Sequence, residues 1–132
     1  CNLAKNDNRK IYMSGQGADE IFADYGFDGN RMSGQSELLG LFPKDLTTCF
    51  PWRNFYYGTQ QAYLAKEENV AGSLGIETRY PFLDKKVVQE FLWLSAELKN
   101  KNYKAPLCEY LKRNNIPFEK EVKLGFSCEP KG

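Results

Sequence analysis

The 132-residue chain contains no histidine. That excludes Ser-His-Asp and Cys-His catalysis within it and removes the commonest zinc ligand. Any chemistry has to come from carboxylates, lysine, tyrosine, backbone dipoles or a carboxylate-bound magnesium. No apolar run approaches the roughly 18 residues that a membrane helix needs. The opening residues, Cys1 to Asp7, have no apolar signal core. Net charge is almost absent too. Eighteen basic and 17 acidic residues leave +1, so no general pull toward nucleic acid or an acidic membrane surface is expected. A cytoplasmic protein with neither nucleic acid nor membrane as partner is the expectation. The four cysteines, Cys1, Cys49, Cys108 and Cys128, form no C-x-x-C pair. Scattered reduced thiols are the expected state.

What is present is enough for a core: 42% of residues are hydrophobic and 14% aromatic. The length fits one ordinary domain. The chain does not begin with methionine, and both ends read as cuts through a longer chain. Residues 1–10 are polar and are expected to fray. Ile11-Tyr12-Met13 reads as a short buried strand. Residues 26–34 carry three glycines with Asp28 and Asn30 and read as a loop. Ser36 is placed to cap a short helix over 37–39, stopped near Pro43. Pro51 is expected to open a longer helix at Trp52, running past Phe55, Tyr56, Tyr63 and Leu64 until Gly72 and Gly75 break it. Asp84 is expected to cap a helix through Val87, Val88, Phe91, Leu92 and Leu94. A last helix is expected over Leu107 to Arg113, with Pro117 beyond its end. The tail, 118–132, reads as charged loop anchored by Phe126. One strand among several helices predicts a mostly helical piece of an α/β layer.

The stretch Ser14-Gly15-Gln16-Gly17-Ala18-Asp19-Glu20 carries the most chemistry. Glycines let backbone N–H groups come close to a ligand. A helix start then favours an anion such as phosphate. Asp19 and Glu20 would repel a bare phosphate, a conflict that a magnesium ion bridging carboxylate and phosphate oxygens removes. The same residues equally describe an ordinary helix start, where acidic side chains complement the dipole.

Three blocks resemble the asparagine synthetase family. The first is Ser14 to Phe22 with Tyr25, similar to S-G-x-G-x-D-E-hydrophobic-F-x-x-Y. The second, Ser73 to Asp84, is similar to the family's E-x-R-x-P-F-L-D signature. The third is Lys104, Leu107, Ile116-Pro117 and Lys123-Leu124-Gly125-Phe126, which looks like the family's K-x-x-L and K-x-G-F ending. The resemblance spans residues 11–126. It implies that 1–132 is the C-terminal part of an ATP-pyrophosphatase-type (adenine nucleotide α-hydrolase-like) synthase domain. It implies a ligase that adenylates a carboxylate, usually aspartate, with ATP and Mg2+, for attack by ammonia or another amine donor. Asp19 matches the family's magnesium-holding aspartate. Ser14, Gly15 and Gly17 match the loop lining the nucleotide. Lys123 matches the lysine that stabilises charge at the activated carboxyl. Gln16 stands at the position that often holds a proton-handling glutamate. Arg79 and Asp84 read as an ion pair and a helix cap.

Departures from the family pattern accompany these matches. A glutamine amide orients by hydrogen bonding but cannot act as a base. Asn69, Cys108 and Glu121 stand where the family places cations. The upstream S-G-G-x-D-S loop is absent, so the first half of the same domain is an expected partner. Cys1 is not read as a glutaminase nucleophile, because nothing after it resembles that domain. A cyclising ligase of the same family, or a non-catalytic module that keeps the fold, is the alternative. Homo-oligomerisation is left open.

Overall fold

A computed structural model of the chain describes residues 1–22, 26–27, 30–31, 38, 41–50, 52, 55, 59–102 and 104–118. The polar N-terminus is not frayed coil. Asn2–Asn6 forms a short helix, α1, with Lys5 in its last turn, where a cation complements the dipole. Ile11–Met13 is a strand, β1, as its apolar run predicts. It pairs in parallel with a strand the sequence reading did not anticipate, β4, Glu77–Arg79. Tyr12 stands opposite Thr78. The ladder extends past both ends: Glu77 N–H donates to Lys10 O (2.8 Å) and Ser14 N–H to Arg79 O (2.9 Å).

The expectation that β1 is buried is not met. Ile11 is 56% exposed and Met13 65%. A two-stranded parallel sheet has too few neighbours to cover both of its faces, and parallel sheets are ordinarily covered on both. The glycine-rich stretch after Phe22 is also more than loop. Gly26–Phe27 (β2) and Asn30–Arg31 (β3) pair antiparallel, a minimal hairpin. The Ser36 cap, Pro51, Tyr56 and the 119–132 tail with Phe126 lie outside the described residues.

Helices supply most of the remaining structure. Ala18–Ile21 (α2) is a single turn after the glycine-rich segment. Phe55 is helical, and Thr59–Gly72 (α3) follows it in the chain. Helix α3 stops where the glycines predict. Gly75 adopts φ +71°, a left-handed conformation that glycine takes without steric cost, and leads straight into β4. Lys85–Trp93 (α4) is capped as expected: Asp84 accepts from Lys86 N–H at 2.9 Å. Ala96–Asn100 (α5), capped by Ser95, was not anticipated. Ala105–Arg113 (α6) begins two residues earlier than expected, with Pro106 in its first turn.

The core gathers around α2 and α4. Ile21, Phe22, Leu38, Phe42, Trp52 and Phe91 are buried together, with Phe82, Leu83 and Val88 packed alongside. Phe22 and Phe91 meet edge to face with centroids 4.8 Å apart, and Phe42 meets Phe91 at 5.5 Å. Such pairs contribute about 0.5–1.5 kcal/mol beyond area burial. Val88, Phe91 and Leu92 form the inner stripe of α4, while Val87 and Trp93 face solvent. Among the described residues no helix is long and apolar enough to cross a membrane. Cys1, Cys49 and Cys108 are reduced cysteines rather than halves of a disulfide, and burial pushes the Cys49 thiol up, which leaves it a poor nucleophile.

Candidate functional site: the glycine-rich turn and its lysine

The turn leaves the C-terminal end of β1. Ser14 is buried and stays in the ladder through its N–H, while its hydroxyl accepts from Gln16 N–H at 3.2 Å. Gly15 faces open space: a Cβ there would meet nothing within 4 Å. Gly17 is different. Its φ is +92°, and a Cβ would lie 2.6 Å from Leu83 Cγ. Glycine is therefore required at 17 by both backbone conformation and the approach of the Pro81–Leu83 turn. That contact seats the first sequence block against the second.

The two carboxylates of the turn have separate environments. Glu20 is 1% exposed, and its carbonyl accepts the Trp52 indole N–H at 3.2 Å. Asp19 stays partly open. Its Oδ1 lies 2.6 Å from the Lys104 ammonium, the two side chains being 27% and 23% exposed. Lys104 precedes α6 in a left-handed conformation, φ +53°, which disfavours non-glycine residues. The pair brings the first and third sequence blocks together. Lys104 was not among the anticipated site residues; its place in the third block was the available signal.

Gln16 reaches a second feature. A cavity of about 310 Å³ lies between β1, β4 and α3, lined by Tyr12, Gln16, Tyr63, Lys66, Glu67 and Thr78 among others. Thr78 Oγ1 and Glu67 Oε2 are buried and meet no hydrogen-bond partner among the described residues. Sequence reasoning passed over both, because a threonine in a strand and a glutamate in a helix carry no local mark of function. Just beyond lies Tyr80. Burial, followed by the nearby Glu68 carboxylate, pushes its phenol up to about 12.

Of the residues expected at the site, Ser14, Gly15, Gln16, Gly17 and Asp19 sit together on the turn. Lys123 lies outside the described residues, as do Tyr25 and Glu121. Arg79 pairs with Glu77 at 2.7 Å on the surface, and Asp84 caps α4, the scaffold roles expected of them. Asn69 is exposed on α3 and Cys108 lies on α6. A resident metal ion does not fit these residues alone. No group of three His, Cys, Asp or Glu side chains capable of holding one occurs among the described residues. The carboxylate best placed for it is in contact with an ammonium.

Comparison with known proteins gives a distant relative. Over 133 aligned residues the chain is 31% identical to a protein of Methanocaldococcus jannaschii that is named, provisionally, as asparagine synthetase (glutamine-hydrolyzing) 1. The alignment covers 96% of this chain and 23% of that protein. The chain therefore spans about a quarter of its relative's length. No family model matches it, and no solved structure does. The similarity supports the asparagine-synthetase resemblance at the level of family.

Proposed function

We propose that the chain is part of an ATP-dependent amide-forming ligase of the asparagine-synthetase type. The observation that carries this reading is the Asp19–Lys104 contact. It unites in space two motif blocks far apart in sequence, in a chain whose relative bears that family's name. In the proposed reaction a substrate carboxylate, aspartate by preference, attacks the α-phosphorus of ATP, and pyrophosphate leaves. The amine donor then attacks the acyl carbon, and AMP departs. Ser14, Gly15 and Gly17 line the nucleotide, the open space at Gly15 letting the backbone approach it. Gln16 orients a reacting group by hydrogen bonding. Lys123 stabilises the charge developing at the acyl centre. Magnesium in this reading arrives with the nucleotide rather than as a resident ion of this chain. The ATP-pyrophosphatase fold and a cytoplasmic location belong to the same proposal, as does a partner segment supplying the pyrophosphate-gripping loop.

The test is a chimera. The 132 residues replace the matched segment of the archaeal relative, and ATP–pyrophosphate exchange is assayed with aspartate and other carboxylates. Aspartate-dependent exchange is expected, with none from the isolated chain. A folded chimera that exchanges with no carboxylate, or turnover by the isolated chain, overturns the proposal. Gln16 favours one second reading, a non-catalytic module retaining the fold. Under it, Gln16→Glu in the chimera leaves exchange at zero. A cyclising ligase would instead prefer a substrate with an internal amine over free ammonia.

A further inference from the structure

The Asp19–Lys104 contact has a consequence for metal binding. A magnesium ion needs a carboxylate oxygen at about 2.0–2.1 Å in near-octahedral geometry. Asp19 Oδ1 already has the Lys104 ammonium at 2.6 Å. An ammonium and a dication on the same carboxylate repel each other. The neighbouring carboxylate, Glu20, is buried at 1% exposure and not open to an incoming hydrated ion. Lys104 is moreover held at a left-handed backbone position at the start of α6. Such strain persists only where the surrounding structure over-determines the backbone, and the Lys104 side chain is itself only 23% exposed.

We infer that Lys104 competes with divalent cations for Asp19, so that the turn does not retain a free metal ion while the pair is closed. The turn then accepts a metal only when Lys104 is drawn away, as by an anion that takes over its charge. This rests on the contact and the burial of Glu20, and it stands or falls independently of the adenylation chemistry.

The probe is Mn2+ alone, titrated into the 132-residue chain and followed by electron paramagnetic resonance. The wild-type chain is expected to show no saturable site tighter than about 1 mM, the weak end of protein–divalent affinities. Lys104→Met is expected to tighten Mn2+ binding about tenfold or more, the low end of what a neighbouring opposite charge does to a carboxylate's proton affinity. Adding Asp19→Asn abolishes the gain, and Lys104→Arg, which keeps the charge, stays at the wild-type level. Circular dichroism checks that each variant folds. Micromolar saturation of the wild-type chain overturns the inference, whatever the variants do. So does a folded Lys104→Met chain with no gain.

Discussion

Asp19 and Lys104 meet at 2.6 Å with both side chains about three-quarters buried, tying the glycine-rich turn to the start of α6. A fully exposed pair would contribute little, since two long side chains must be ordered in a high dielectric. Partial burial strengthens the attraction and raises the cost of leaving either group alone. A double-mutant cycle with Asp19→Asn and Lys104→Met is expected to give a coupling of about 1–2 kcal/mol by urea denaturation. Coupling below about 0.3 kcal/mol, inside the usual additivity error, would mean the pair is idle in stability.

Gly17 carries two constraints, and they separate experimentally. Gly17→Ala places a Cβ against Leu83 and forces a non-glycine residue to φ +92°. The expected loss is about 1–3 kcal/mol from overpacking and strain together. Leu83→Ala in the same chain removes the collision but not the backbone strain. In that background Gly17→Ala should still cost something, but less. An equal cost in both backgrounds would show that Leu83 yields freely and that the conformation alone requires glycine.

Local signals in the sequence were legible where they were chemically strong. The Asp84 cap, the glycine stop after α3 and, apart from the exposed Val87 and Leu94 just past the helix end, the inner stripe of α4 could be read because each is set by residues within a turn of one another. The strand β4 could not: Glu77-Thr78-Arg79 is polar and three residues long, and only its pairing with β1 makes it a strand. Strand identity here is a long-range property. The burial of Ile11–Met13 was misjudged for the related reason that apolar sequence does not guarantee a covering layer. At the site, the turn stood out through its glycines and acids. Its cationic partner did not, because no spacing rule connects Asp19 to Lys104. The four-residue α2 is too short to bring much macrodipole to the turn, so Lys104 is the larger positive feature beside it.

Tyr80 offers a pH signature. Burial first, and then Glu68, hold its phenol at about 12, above the ordinary 10. In the unfolded chain it ionises near 10. Its contribution to stability is therefore complete below pH 10 and is lost as pH rises toward 12. The stability difference between wild type and Tyr80→Phe should change across that window and be flat below it. Glu68→Gln should bring the Tyr80 titration down without reaching 10, because burial is the larger cause. A full return to 10 in that variant would reverse the order of the two effects.

Lys99 provides the opposite case, a lysine whose ammonium is buried against two aromatic rings. The residue is 3% exposed, and its ammonium donates to Leu92 O at 2.9 Å and lies 5.3 Å from the centroids of both Phe42 and Phe91. Burial holds its pKa below the usual 10.5. The unfolded chain keeps the proton to higher pH, so the contribution to stability is present above 10.5 and is lost as pH falls through the lower folded value. Lys99→Met should flatten that dependence relative to wild type. At neutral pH it should stay within about 1 kcal/mol of wild type, since the apolar stem packs much as the lysine stem does. Lys99→Ala removes the stem and should cost about 2 kcal/mol or more. If Met and Ala destabilise equally, the ammonium's contacts with Leu92 O and the two rings, rather than the packing of the stem, hold α4 and α5 together.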